Sequence, residues 1–132
     1  MPIQYFDHAA IVVSNLETSI KFYTELLGFK IIKRLKFSDR ELVLLQLGDN
    51  PSSKIELLQY AATNQNIKVS LDRTLLGLRH IAFHVDNIQD TFLALSSSGV
   101  RMLENPPFEQ SNGVPIAFGY DPDGVLLEFT EI

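Results

Sequence analysis

The sequence predicts an α+β fold of two tandem βαβββ modules. Three observations carry that expectation: a local repeat at a fixed offset, the same order of apolar runs in both halves, and helix-start and turn residues between those runs. The repeat aligns Asp7–Glu17 with Arg79–Gln89, at an offset of 80 − 8 = 72. His, Ala, Val and Asn recur identically, Leu16 meets Ile88, and Glu17 meets Gln89. The same offset carries Glu56 onto Glu128, so each half holds a His and a Glu 48 positions apart. One such pair could be chance; two pairs at one offset, within matching local sequence, indicate a duplicated module.

The elements follow in order. Phe6–Val13 and Leu78–Val85 are short, apolar and rich in β-branched residues, as strands buried on at least one face are. Each leads into a helix-start pattern, Ser14-x-x-Glu17 and the looser Asp86-x-x-Gln89, which predicts capping boxes. Leu16, Ile20, Tyr23 and Leu27 form the apolar stripe of the first helix, and Gly28 stops it. Ile88, Phe92 and Leu95 form the stripe of the second, with Gly99 as its stop. Three strand-like runs then follow each helix: Phe29–Phe37, Glu41–Leu47 and Lys54–Tyr60, then Val100–Phe108, Val114–Tyr120 and Val125–Glu131. Turn residues separate them at Gly48-Asp49-Asn50-Pro51 and Asp121-Pro122-Asp123-Gly124. The expected organisation is one domain, with module one over residues 3–60, a polar linker or site-covering loop over 61–76, and module two over 77–132.

Composition narrows the function. With 45% apolar and 20% charged residues, the chain is ordinary for a globular domain. A net charge of −5 with scattered Lys and Arg argues against nucleic acid as the partner. No apolar run is long enough to span a bilayer, and Met1–Tyr5 has no basic-then-apolar leader pattern. The absence of cysteine removes disulfides, thiolate ligands and thiol nucleophiles. A cytoplasmic protein acting on a small molecule is the expectation, with neither membrane nor nucleic acid as partner.

Strand alternation shows what shares a face with each repeated polar residue. His8 lies with Phe6, Ala10 and Val12, and His80 with Leu78, Ala82 and His84. Glu56 lies with Leu58 and Tyr60, and Glu128 with Leu126 and Thr130. A carboxylate among such neighbours is costly unless paired or bound to a cation. Two imidazoles and two carboxylates form an N/O donor set of formal charge −2, which a divalent cation balances. One metal site built from His8, Glu56, His80 and Glu128 is therefore expected, with Ala10 and Ala82 leaving room beside the histidines. Glu25, Glu41, Glu104 and Glu109 have no such partner and read as surface charges. His84 shares the face of His80 but has Val12 as its counterpart; it reads as either a cleft or interface polar group or a substrate contact. Phe6, Val12, Tyr60 and His84 are the candidate substrate-binding residues.

On these residues the chain resembles the vicinal-oxygen-chelate superfamily, which includes glyoxalase I, methylmalonyl-CoA epimerase, extradiol dioxygenases and the fosfomycin and bleomycin resistance proteins. The telling segments are His8 with Ser14-Asn15-Leu16-Glu17, Ile20, Phe22-Tyr23 and Leu27-Gly28-Phe29, then Gly77–Phe83, and Asp121-Pro122-Asp123-Gly124 with Glu128. The resemblance implies paired βαβββ modules whose mixed sheets curl around a metal cleft, and a ligand from each of four strands, matching His8, Glu56, His80 and Glu128. A carboxylate at Glu56 resembles the glyoxalase I branch, and the epimerase branch has an amide there.

The resemblance further implies a metal-dependent lyase or isomerase of the glyoxalase I type. Such an enzyme moves a proton next to a metal-held carbonyl of a small 2-oxo substrate or its thiol adduct. Glu128 is then the first choice of catalytic base and Glu56 the second. One divalent ion per site is implied, with nickel or cobalt preferred over zinc and manganese also compatible, and so is a homodimer. Glutathione-using relatives carry an Arg four residues after the first His and an Asn four after the first Glu. Here those places hold Val12 and Tyr60, neither of which clamps a carboxylate as a charged fork does. Arg34, Lys36, Lys68, Arg73 and Arg101 are the cations available for an anionic tail. The competing readings are an acyl-CoA epimerase, a bleomycin-resistance-like protein that sequesters a small molecule, and a dioxygenase-like iron enzyme.

Overall fold

A computed structural model describes residues 2–62, 69–70, 72, 74–103, 108–109, 113 and 115–131. The chain divides into two compact units, Met1–Ile67 and Lys68–Ile132, and their boundary falls inside the stretch expected to link two modules. The first unit runs β1 (His8–Val12), α1 (Leu16–Lys21, continued by a π-helical turn over Phe22–Leu26), β2 (Lys30–Lys36), β3 (Arg40–Gln46) and β4 (Lys54–Tyr60). The second runs β5 (His80–His84), α2 (Ile88–Ser97), β6 (Arg101–Met102), β7 (Phe108–Glu109), β8 (Pro115–Tyr120) and β9 (Leu126–Thr130).

Both sheets are mixed and share one plan. The first has the order β1-β4-β3-β2, with β1 and β4 parallel and the other neighbours antiparallel. The second has the order β5-β9-β8-β6, with β5 and β9 parallel and β7 also pairing with β8. The first strand of each unit thus lies beside the last, which brings the His-bearing strand next to the Glu-bearing one. The single strand expected over Val100–Phe108 is instead two short strands on β8, and residues 104–107 between them lie outside the described residues.

One face of each sheet packs on the helix of its own unit. In the first unit that face carries Ile11, Val13, Val43, Leu45, Ile55 and Leu57, all buried, and Leu16, Ile20 and Tyr23 of the helix are buried as well. In the second unit Ala117, Leu127 and Phe129 are buried on the matching face, as are Ile88 and Leu95 of α2. The opposite face of each sheet carries the repeated His and Glu.

The helix starts correct one expectation. The capping residues are Asn15 and Asn87, not Ser14 and Asp86: Asn15 Oδ1 accepts the Thr18 N–H at 3.0 Å and Asn87 Oδ1 the Asp90 N–H at 3.0 Å. Both asparagines have extended backbones and precede the first helical residue, which puts their side chains in reach of the third helical N–H. Glu17, the supposed return partner of a capping box, pairs with Arg34 instead.

The helix ends differ by one residue. Gly28 lies 20 positions after His8, whereas Gly99 lies 19 after His80. In α2 the Gly99 N–H reaches Ser96 O and the Val100 N–H reaches Leu95 O, the usual pattern around a left-handed glycine at φ 90°. In the first unit each bond spans one residue more: Gly28 N–H to Thr24 O and Phe29 N–H to Tyr23 O, with Gly28 at φ 84°. The π turn absorbs that extra residue and keeps Tyr23 fully buried.

Candidate functional site

β1 and β4 are parallel, with His8 opposite Lys54 and Ala10 opposite Glu56. His8 and Glu56 are therefore diagonal neighbours on the face away from α1, and His8 Nε2 lies 3.6 Å from Glu56 Oε2. β5 and β9 repeat the geometry, with Ala82 opposite Glu128 and His80 Nε2 3.9 Å from Glu128 Oε1. Ala10 and Ala82 stand directly across from the two carboxylates, so the space reserved by a small side chain opens onto the Glu rather than the His. Both carboxylates are mostly buried, at 21% and 17% side-chain exposure, while the imidazoles are about twice as open at 35% and 40%.

Both His–Glu separations exceed the roughly 3.2 Å of a hydrogen bond. Bonds of about 2.0–2.2 Å place two donors on one cation about 3–3.6 Å apart. The His8–Glu56 pair lies at the upper end of that range, and the His80–Glu128 pair, at 3.9 Å, lies outside it. Neutral imidazole nitrogen and carboxylate oxygen are the donor types that divalent first-row metals accept. Each unit thus places one imidazole nitrogen and one carboxylate oxygen near each other on one sheet face. Among the described residues no three His, Asp or Glu side chains gather into a group able to hold a metal.

The two half-sets have different surroundings. His8 Nδ1 lies 2.7 Å from Asp7 Oδ2, and Asp7 Oδ1 accepts from Lys54 Nζ at 2.8 Å. Lys54, the register partner of His8, and then His8 itself hold the Asp7 carboxyl below the usual carboxylate range. In the second unit the place of Asp7 is taken by Arg79, whose Nη1 donates to Asp72 O at 3.3 Å. The His80 ring packs edge-on to Phe118, with centroids 6.1 Å apart. Nothing in the duplicated pattern marks Asp7 or Lys54, because neither recurs at the offset. The only sequence signal was an acid immediately before a strand histidine.

The expected substrate-binding residues fall as follows. Val12 and Tyr60 lie on the His8 face, and both are exposed. Phe6 precedes β1 and is 67% exposed, so strand alternation does not fix its direction. His84 ends β5 on the face of His80, and its Nε2 lies 3.4 Å from Asp86 Oδ1.

Arg34 lies on the sheet face opposite His8 and Glu56. It pairs in register with Val43, on the helix face, where Nε donates to Glu41 at 2.6 Å and Nη2 reaches Glu17. The same contact corrects Glu41, which is an ion-paired residue rather than a lone surface charge. Lys36 pairs with Glu41 in register and shares that helix face. Arg101 lies over the Tyr120 ring at 4.3 Å. Lys68, Arg73 and Glu104, and the side chain of Glu109, lie outside the described residues. No helix among the described residues is long and apolar enough to cross a membrane.

Comparison with known proteins accounts for this layout. Residues 5–129 match the family model described as the Glyoxalase/Bleomycin resistance protein/Dioxygenase superfamily. The chain is 32% identical over 126 residues to the lactoylglutathione lyase of Haemophilus influenzae, an alignment covering 94% of this chain and 90% of the relative. It is 28% identical over 130 residues to the mitochondrial methylmalonyl-CoA epimerase of Homo sapiens, covering 95% and 72%. Among solved structures, the trypanothione-dependent glyoxalase I of Leishmania major superposes with a TM-score of 0.73 at 28% identity, covering 97% of this chain and 86% of that one.

Proposed function

The chain belongs to the Glyoxalase/Bleomycin resistance protein/Dioxygenase superfamily, and from that membership we propose that it is a divalent-metal-dependent lyase or isomerase of the glyoxalase I kind. Its substrate class is a small 2-oxo compound or the adduct of one with a thiol. The single observation that supports this most is the repeated His–Glu pair, 3.6 Å apart in one unit and 3.9 Å in the other. Such a pair on its own sheet face is half of an N/O coordination set, and His8, Glu56, His80 and Glu128 together are the proposed ligands. Nickel, cobalt, zinc and manganese all accept these donors. A homodimer in the cytoplasm is part of the same proposal.

When bound, the cation supplies Lewis-acid stabilisation of negative charge on a substrate oxygen. The chain's own residues do the proton work. Glu128 takes the proton from the carbon next to the substrate carbonyl and returns it to the neighbouring carbon. Glu56 is the second carboxylate suited to that exchange. Burial at about one-fifth exposure shields both from bulk water while leaving an oxygen on the open face. Val12, Leu42, Leu44 and Leu58 surround the first pair with apolar surface on the same face, suited to the carbon skeleton of a substrate. Val12 and Tyr60 offer no charged fork, which favours a thiol or tail other than glutathione's free carboxylates. The Leishmania relative, trypanothione-dependent by name, is a precedent for another thiol.

A second reading, acyl-CoA epimerisation, is favoured by the similarity to the human epimerase. It uses the same carboxylate chemistry but returns the proton to the same carbon on its other face.

Elemental analysis of the wild type beside Glu56→Gln and Glu128→Gln tests the proposal. The expected result is near-stoichiometric nickel, cobalt, zinc or manganese in the wild type and less in both variants. Turnover of 2-oxoaldehyde thiol adducts that survives complete metal stripping would overturn it. Assays with acyl-CoA epimers separate the two readings.

A further inference from the structure

Resting on the metal reading above, we propose that Asp7, anchored by Lys54, is a positioning residue that makes His8 the stronger of the two histidine ligands. A carboxylate only accepts, so the 2.7 Å contact between Asp7 Oδ2 and His8 Nδ1 requires the proton on Nδ1. The neutral ring then keeps its lone pair on Nε2, the atom that faces Glu56 at 3.6 Å. The contact fixes both the tautomer and the rotation of the ring. Free imidazole in water has no such bias toward that form.

Lys54 completes the device. It is the register partner of His8 across the parallel pair, and its side chain is only 14% exposed. Its ammonium holds the other Asp7 oxygen at 2.8 Å, which keeps the carboxylate turned toward the ring although Asp7 itself is half-exposed. A carboxylate hydrogen-bonded to a ligating histidine raises its basicity and pre-orients it, and losing such a partner typically weakens metal binding by about 10–100-fold.

The second half-set shows no such device among the described residues. At the position equivalent to Asp7 stands Arg79, and among the described residues no carboxylate contacts His80 Nδ1. Among the described residues the proposed ligand pair is duplicated and its support is not. His8 is preset as an Nε2 donor, and His80 must select its tautomer when the cation arrives.

The test reads the imidazole directly and does not depend on activity. Long-range proton–nitrogen spectra of the chelator-treated protein, at about pH 8 where imidazoles are ordinarily neutral, assign the tautomer of each histidine, with His8→Gln and His80→Gln identifying the signals. His8 is expected as the Nδ1–H form in the wild type and in Asp7→Asn, whose amide oxygen still accepts. In Asp7→Ala both tautomers are expected. Zinc affinity, measured by competition with a chelating dye, should fall about 10–100-fold in Asp7→Ala, less in Lys54→Met, and little in Asp7→Asn. Thermal melting of the metal-free variants controls for folding. An Asp7→Ala protein with an unchanged His8 tautomer or unchanged zinc affinity overturns the assignment and leaves the metal reading standing. A wild type that takes up no zinc, nickel, cobalt or manganese removes the metal reading and this assignment with it.

Discussion

Gln59 Oε1 accepts the backbone N–H of Leu16 at 2.7 Å, tying the end of β4 to the first turn of α1. The bond satisfies one of the donors that a helix start leaves open. Its counterpart 72 residues on is the 2.7 Å bond from the Ile88 N–H to Glu131 Oε1. The first unit's last strand and the residue just after the second's thus each hold the helix that covers their own sheet, and the His–Glu face is left on the other side.

Gln59→Leu should destabilise the protein by about 1 kcal/mol, because the Leu16 N–H loses its acceptor and Leu16 is buried. Urea denaturation measures it. Asn15→Ala, which removes the cap on Thr18, should cost a similar amount, about 1 kcal/mol.

Leu57→Ala should be more damaging, at about 2–5 kcal/mol. Leu57 is fully buried between the sheet and α1, and it neighbours Glu56 in sequence while pointing to the opposite face. Denaturation of the metal-free protein separates this packing loss from any change in coordination.

Glu128→Gln should lower kcat by about 10²–10⁴ on whichever 2-oxo substrate the wild type turns over, as expected for loss of a general base. The amide keeps the shape and can still offer an oxygen, so some metal should be retained. Steady-state kinetics on metal-reconstituted protein check it; an unchanged kcat would assign the proton transfer to Glu56 or elsewhere.

Acid should weaken the first unit through Glu41. Arg34 is the main cause holding the Glu41 carboxyl below its ordinary value of 4.5. A carboxyl lowered in the folded state contributes stability that is present above the unfolded value and lost as pH falls through the folded one. Stability against urea should therefore decline as pH falls below about 5, and Glu41→Gln should flatten that part of the profile. The same decline in the variant would assign the acid sensitivity to other groups.

Val12→Arg with Tyr60→Asn should raise kcat/KM for the glutathione adduct of a 2-oxoaldehyde, chiefly through KM. A charged hydrogen bond contributes about 1.5–3 kcal/mol, so roughly a tenfold or greater gain is expected. Both positions are exposed on the His8 face and can accept the longer or more polar side chain. No gain would mean that the tail is held somewhere other than these two positions.

Periodicity carried most of the architecture. Apolar alternation located the long strands to within a residue or two, and β4 at Lys54–Tyr60 matches its expected bounds. The helix caps are ambiguous in the sequence because Ser14-Asn15 and Asp86-Asn87 each offer two capping side chains in a row. Which one caps depends on where the backbone turns from extended to helical, and that is set by the packing of Leu16 and Ile88. The π turn was likewise hidden, since Leu16, Ile20, Tyr23 and Leu27 fit an ordinary helical stripe.

The sequence by itself determined that the protein is a duplication and that each copy pairs one histidine with one glutamate, because a fixed offset needs no coordinates. It also determined which face those residues share, through strand alternation. Tertiary structure alone decided that Asp7 and Lys54 belong to the His8 pair and that Arg34 does not belong to the site. Those facts follow from strand register: the parallel pairing of β1 with β4 sets Lys54 beside His8, 46 residues away in the chain, and the pairing of β2 with β3 turns Arg34 toward the helix. Local sequence does not encode which residues a register will bring together.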